Sequence, residues 1–301
     1  MAEQLSTATL GRTGLDVTRL GYGAMEIRGG PRGRATTDAE AEAILTAVLD
    51  AGITYIDTSN DYGRSEELIG RYISDRRDEY FLATKCGCVG PAGGQHVWTR
   101  KNLMRGLEQS LELLRTDYVD VIQLHGASVE ESEREGVVDT LNSMREQGKV
   151  RHIATSTSVP NLPTFIEWGS FDLFQIPYSA LNREHEAWIS KSAQAGIGTV
   201  IRGGVQKGEP GEGGGRADAW NKFEQANLDE LRAEGESRTA FMLRYTLSHP
   251  DVHTIIVGTK NPAHLRENLE TERRGPLAPD VYAEAKRRLD AIGETPETRI
   301  G

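Results

Sequence analysis

Tyr55-Ile56-Asp57-Thr58-Ser59-Asn60-Asp61-Tyr62-Gly63 begins as an apolar extended run, already under way at Ile53, and places a carboxylate where that run ends. Five residues after the carboxylate, a tyrosine stands directly before a glycine. This is the layout of a strand whose carboxyl end opens into a chemical site. Two further apolar runs finish in the same manner: Phe81-Leu82-Ala83-Thr84-Lys85 in a lysine, and Val119-Asp120-Val121-Ile122-Gln123-Leu124-His125 in a histidine. An acid, a phenol, an amine and an imidazole therefore sit at or just beyond successive strand ends.

Outward from that stretch the chain alternates strand and helix signals. Residues 6–19 read as a hairpin turning at Gly11-Arg12-Thr13-Gly14, placed as a lid on the bottom of the fold. Strands are expected at 19–23, 53–57, 80–85, 118–125, 150–155, 171–177, 197–201 and 252–257. The helix after the first is capped by Thr37 with Glu40, and the helix after the fourth by Ser132 with Glu135. Other helices are expected from 65 to 73, from about 100, near 161–168, 182–195, 226–248 and 262–270, and at 280–292. Eight strands, each followed by a helix, in roughly 250 residues give an α/β fold of the (β/α)8 TIM-barrel type with an N-terminal β-hairpin, whose site lies at the carboxyl ends of the strands. A doubly wound sheet is disfavoured, because it needs fewer strands and Gly21-Tyr22-Gly23 is not followed by a third glycine. No linker interrupts the 301 residues, so 1–301 is expected to be one domain. Gly203–Gly215, with seven glycines in thirteen residues, reads as a mobile flap on the catalytic face.

Composition bounds the partners. With 37% hydrophobic and 27% charged residues the chain can bury a sizeable core. A net charge of −10 argues against a nucleic-acid or anionic-membrane surface, so any ligand phosphate must be held locally. No run reaches the length of a spanning helix, and Met1-Ala2-Glu3-Gln4 lacks the features of a secretory signal; a cytoplasmic protein is expected. Cys86 and Cys88 are too close for an ordinary disulfide and too few for a structural zinc site, so no metal is expected and both read as small apolar side chains beside Lys85.

If Asp57, Tyr62, Lys85 and His125 converge, the lysine stabilises phenolate and lowers the tyrosine's pKa, the carboxylate keeps the ammonium charged and aimed, and the imidazole orients a carbonyl oxygen. That set suits proton delivery to a carbonyl that receives hydride from a reduced nicotinamide.

These segments resemble the aldo-keto reductases, of the bacterial type with a short C-terminal tail. Further matching segments are Ser65-Glu66-Glu67-Leu68-Ile69-Gly70, Ala83-Thr84-Lys85-Cys86-Gly87, Gln175 with Tyr178 to Arg183, and Val257-Gly258-Thr259-Lys260-Asn261-Pro262 with Glu267-Asn268, so that the likeness runs from about 8 to about 290. The resemblance implies a barrel that binds NADPH in extended form and reduces aldehydes or ketones, with Tyr62 as general acid, Lys85 and Asp57 tuning it, and His125 orienting the carbonyl. It implies that Ser156 and Gln175 face the nicotinamide carboxamide. Gly258, Thr259 and Lys260, with His264 and Asn268, match the positions that hold the 2'-phosphate and adenine; Gly23, Thr157, Arg202 and Gly203 complete the implied cofactor set. The charge of Lys260 and a helix N-terminus near Pro262 give that phosphate physical partners.

Three positions depart from the family's pattern. Thr157 follows Ser156 where many members carry asparagine, Arg202 stands where many stack an aromatic on the nicotinamide, and Met25 stands where many have a tryptophan. Loop position places Met25 and Trp98, with Tyr22, Gln95, His96 and Arg202, around a carbonyl or sugar substrate. Two other functions stay open on the same residues: a sugar or polyol dehydrogenase using NAD(P)+, and a cofactor-binding regulatory subunit like the β subunits of voltage-gated potassium channels. Oligomeric state is not legible.

Overall fold

The computed structural model describes residues 4–30, 33–89, 94–211 and 214–297. Of the sequence readings, Met1-Ala2-Glu3, Gly213 of the glycine-rich stretch and the end of the polar tail lie outside the described residues. Strands β1 (Thr7–Thr9) and β2 (Asp16–Thr18) form an antiparallel hairpin. Eight parallel strands then close a barrel: β3 (Leu20–Gly23), β4 (Tyr55–Asp57), β5 (Phe81–Cys86), β6 (Val119–His125), β7 (Val150–Ser156), β8 (Leu173–Pro177), β9 (Gly198–Arg202) and β10 (Thr254–Val257), with β10 pairing to both β9 and β3. The expected TIM barrel with its N-terminal hairpin is the fold.

The hairpin plugs the end of the barrel where the strands begin. Leu10 and Val17 are buried in one cluster with Tyr55, Ala83, Val121, Ala154, Leu173 and Val200, which fill the interior. The Arg12 N–H donates to the carbonyl of Gly196 at 2.8 Å, just before β9, and its guanidinium reaches the carbonyl of Phe171, just before β8. The catalytic candidates Asp57, Lys85 and His125 lie at the opposite end, where β4, β5 and β6 finish.

Helices α1 (Asp38–Asp50), α2 (Ser65–Tyr72) and α3 (Arg100–Leu114) follow β3, β4 and β5. The Thr37–Glu40 capping box on α1 is formed. After β6 the expected single helix is corrected to two, α4 (Val129–Glu135) and α5 (Val137–Glu146). The cap is Ser128 with Glu131, not Ser132 with Glu135, and Gly136, at φ 58°, breaks the helix between them. Helices α6 (Asn161–Trp168) and α7 (Glu186–Gln194) follow β7 and β8.

The helix expected over 226–248 is likewise corrected. The chain forms α8 (Ala217–Gln225), a 3-10 turn at Leu228–Leu231 and α9 (Arg238–Leu247), separated by left-handed residues at Asn227 and Gly235. Last come α10 (Pro262–Arg274) and α11 (Pro279–Ala291). Among the described residues, no helix is long and apolar enough to cross a membrane.

Candidate active site

The strand ends bring Asp57, Lys85 and His125 onto one face of the barrel, and the loop after β4 returns Tyr62 to them. Asp57 and Lys85 are 2% and 1% exposed, so neither charge is solvated and each depends on its partners. Lys85 Nζ donates to Asp57 Oδ1 at 2.6 Å and to the Thr58 carbonyl at 2.9 Å. The other carboxylate oxygen, Oδ2, accepts from Gln123 Nε2 and from Gln175 Nε2, each at 2.8 Å. Burial works against the charge of Lys85, but Asp57 and Tyr62 outweigh it and hold the ammonium above the usual lysine range.

The ammonium lies 4.9 Å from the centroid of the Tyr62 ring. The phenol nevertheless departs from the sequence expectation of a lowered value. Burial raises it above the ordinary tyrosine range, and Lys85 only partly opposes that shift. The His125 ring stands edge-on to Tyr62 with centroids 6.0 Å apart. On its other side His125 Nδ1 is 3.1 Å from Cys88 Sγ. Burial, with Asp61 adding, pushes the Cys88 thiol up to about 12, so the thiol keeps its proton. The reading of Cys88 as an apolar neighbour of Lys85 is therefore corrected to that of a hydrogen-bond partner of His125; Cys86, buried like Cys88, meets the Gln123 carbonyl with its sulfur at 3.5 Å.

Along the rim from β7 to β9, Ser156 Oγ donates to Gln175 Oε1 at 3.2 Å, and the Thr157 N–H donates to the Gln175 carbonyl at 3.0 Å. Arg202, at the end of β9, keeps solvent contact. Enough protein surrounds its guanidinium for desolvation to lower it, while the charges of Tyr62 and Asp57 pull it back up.

Arg202 and Gly203 line a pocket of about 210 Å³ with Asn182, Gln206, Lys207 and Arg216. The last four were missed in the sequence reading. For Gln206, Lys207 and Arg216 the signal was a glycine-rich stretch bracketed by cations, and Gln206 and Lys207 take left-handed φ values of 46° and 62°, which non-glycine residues adopt only when surrounding structure holds them there. Val205 is buried beneath, and the Gly214 N–H donates to the Lys207 carbonyl at 2.9 Å, so the described part of the expected flap folds back on itself.

Beyond β10, Gly258 lies against β3: a side chain there would meet the carbonyl of Gly23 at 2.6 Å. Tyr22 holds the next turn by donating from its hydroxyl to the Thr259 carbonyl at 2.8 Å. Asn261 caps α10 by accepting from the Ala263 N–H at 2.9 Å. Lys260 Nζ donates to the Ala35 carbonyl and lies 4.0 Å from Glu40. Asn268 is buried and His264 exposed on the first turns of α10. The groups along this rim, basic side chains midway and a helix N-terminus with a lysine at its end, suit an anionic ligand.

Met25, in the 3-10 turn after β3, is half-buried at the mouth. Trp98 is 4% exposed and stacked under His96, which presents imidazole to the mouth and leaves little of the indole for a substrate.

The family model described as Aldo/keto reductase family matches residues 19–289. The chain belongs to that family. It is an oxidoreductase by that membership. Its relatives include the uncharacterized oxidoreductase YqkF of Bacillus subtilis, 28% identical over 280 residues that cover 87% of this chain and 89% of that one. The NADH-specific methylglyoxal reductase of Escherichia coli is 25% identical over 307 residues, covering 86% and 91%. In structure, the chain is similar to the holo form of an aldo-keto reductase from Bacillus halodurans, with a TM-score of 0.83 at 24% identity over 95% of this chain and 96% of the other, a likeness of fold.

One buried group is unexplained by carbonyl chemistry. Glu66, on α2, is 1% exposed, and its Oε1 accepts from Thr84 Oγ1 at 2.5 Å. Burial raises its carboxyl from 4.5 to about 7. Between those values the native state holds a proton that the unfolded chain has released, so stability is full below about 4.5 and falls as pH rises towards about 7. Glu66→Gln removes that slope, which amounts to about 3 kcal/mol across the window. Denaturant unfolding of both proteins from acid to neutral pH measures it. Parallel pH profiles would mean that Glu66 is already ionised in the fold.

Proposed function

We propose that the protein is an NADPH-dependent carbonyl reductase that converts an aldehyde or ketone to the alcohol, with Tyr62 as the general acid. The observation that carries this reading is the buried Lys85–Asp57 ion pair, with the ammonium 4.9 Å from the ring of Tyr62. When bound, the reduced nicotinamide supplies the hydride.

The proton is the work of the chain's own residues. A phenol raised by burial keeps its proton in the resting protein, as a general acid must. The ammonium beside it offsets the charge that appears on the phenol oxygen as the proton leaves, in a site where water does not screen the attraction. Asp57, fixed by Gln123 and Gln175, keeps that ammonium charged and stationary. His125, whose Nδ1 lies against Cys88, is the proposed donor to the carbonyl oxygen through Nε2 and so orients the substrate.

Ser156, Thr157, Gln175, Arg202 and Gly203 are the proposed middle of the nucleotide site, with Lys207 and Arg216 added to them. Gly23, Gly258, Thr259, Lys260, His264 and Asn268 are its proposed 2'-phosphate and adenine end. Met25 and Trp98 are the proposed substrate residues, Met25 as an apolar wall and Trp98 through the His96 ring that stacks on it.

Preference for NADPH rests on Lys260 and the start of α10. Lys260→Ala is expected to weaken NADPH by about 10- to 100-fold, the scale of a charge-assisted hydrogen bond, while NADH binding changes little. Fluorescence titration with both nucleotides checks this, followed by a panel of aldehydes, ketones and sugars monitored at the nicotinamide absorbance. Equal loss for the two nucleotides would remove Lys260 from the 2'-phosphate, and tighter binding of NADH by the unaltered protein would put this chain beside its NADH-specific relative.

A further inference from the structure

Cys88 and His96 face each other as an antiparallel bridge in the loop after β5. On either side of that pair, the Val89 N–H donates to the Gln95 carbonyl at 2.9 Å and the Val97 N–H to the Gly87 carbonyl at 2.8 Å. Cys88 and His96 are thus a non-hydrogen-bonded pair, the kind in which opposed Cα atoms close to about 4.5 Å and the side chains share one face. From β6, His125 brings Nδ1 to 3.1 Å from the Cys88 sulfur, and its ring stands edge-on to that of His96 with centroids 5.4 Å apart. One ligand atom from each of the three residues lies within 4.8 Å of the other two.

The group is built, not accidental. The His96 ring stacks on Trp98 with centroids 5.4 Å apart and planes 5° from parallel. Trp98 in turn lies over Gly87, where any side-chain carbon would sit 2.1 Å from the indole, so the absence of a side chain at Gly87 is what lets the Trp98–His96 stack form. One sulfur and two imidazoles form a donor set suited to borderline-soft cations; magnesium and calcium want oxygen. Three protein donors with an exposed side leave a fourth tetrahedral position to water or a small ligand.

We propose that Cys88, His96 and His125 bind one divalent cation of the zinc class at the mouth of the barrel, beside Tyr62. Binding exchanges the Cys88 thiol proton for the metal; the sulfur–hydrogen bond breaks, a sulfur–metal bond forms and the proton leaves to solvent, with no change of oxidation state. The site uses neither Asp57 nor Lys85, and it stands whether or not the chain reduces carbonyls.

The test is titration of the purified full chain with Co2+ alone, followed by Zn2+. One cobalt per chain is expected, with a thiolate-to-cobalt charge-transfer band in the near ultraviolet that stoichiometric Zn2+ abolishes. Cys88→Ser, which keeps the side-chain volume and a hydrogen bond to His125, loses the band. His96→Ala weakens cobalt by at least about tenfold, since loss of a direct ligand exceeds loss of an outer partner. Cys86→Ala keeps the band. No band at one equivalent, a band that survives Cys88→Ser, an unchanged affinity in His96→Ala, or a band lost in Cys86→Ala would each overturn the site.

Discussion

Tyr62→Phe is expected to lower turnover by about 10² or more, the scale on which general-acid catalysis operates, while the protein still binds NADPH. Phenylalanine keeps the ring, its edge-on packing against His125 and its place over Lys85, so little besides the proton is removed. The loss should therefore fall on kcat with KM near its original value, the pattern of an interaction made only as the reaction proceeds. Nucleotide titration and steady-state rates on any active carbonyl separate the two. Turnover that survives intact would take the proton away from Tyr62 and give it to water or to His125. Nucleotide binding without turnover in the unaltered protein would instead favour a regulatory role.

The barrel was legible because strands buried on both faces read as short apolar runs, and β3 to β10 all do so. The helices after β6 and β9 were not, for different reasons. Ser128-Val129-Glu130-Glu131 and Ser132-Glu133-Arg134-Glu135 both satisfy the capping-box pattern, and only the packing of Ser132 inside α4 and the left-handed Gly136 decide between them. Over 226–248 the apolar spacing is continuous enough to hide two breaks, although Asn227 and Gly235 were visible as residues that tolerate positive φ.

In the candidate site, residue types at strand ends pointed to the four groups that the fold brings together. Spacing could not reveal Gln123 and Gln175 converging on one oxygen of Asp57, because those residues come from three strands. Nor could it weigh burial against the Lys85 charge at Tyr62, and burial prevails. The Cys88–His96 pairing is a matter of register between two short extended pieces, and a shift of one residue would have pointed His96 to the opposite face.

Asp57→Ala should have the largest effect on stability. The carboxylate accepts from Lys85, Gln123 and Gln175, and its removal leaves the Lys85 ammonium 1% exposed with only uncharged partners, the Thr58 carbonyl and Tyr62. Breaking a buried pair by deleting one partner costs about 3–5 kcal/mol, because the surviving charge is neither solvated nor matched. The fold has one escape: Lys85 can lose its proton. In the variant, burial is then unopposed by Asp57, so the folded-state pKa of Lys85 drops below the value near 10.4 that it has in the unfolded chain. Between those two values the unfolded state binds the extra proton, so the variant's stability rises with pH until about 10.4. The unaltered protein, whose Lys85 is held above the usual range, has no such recovery in that window. Unfolding of both proteins measured from neutral to alkaline pH should therefore show curves that converge as pH rises. Curves that stay parallel would mean that water or a rearranged Gln123 and Gln175 solvate the ammonium in place of Asp57, and a variant as stable as the parent at neutral pH would mean that the pair serves orientation alone.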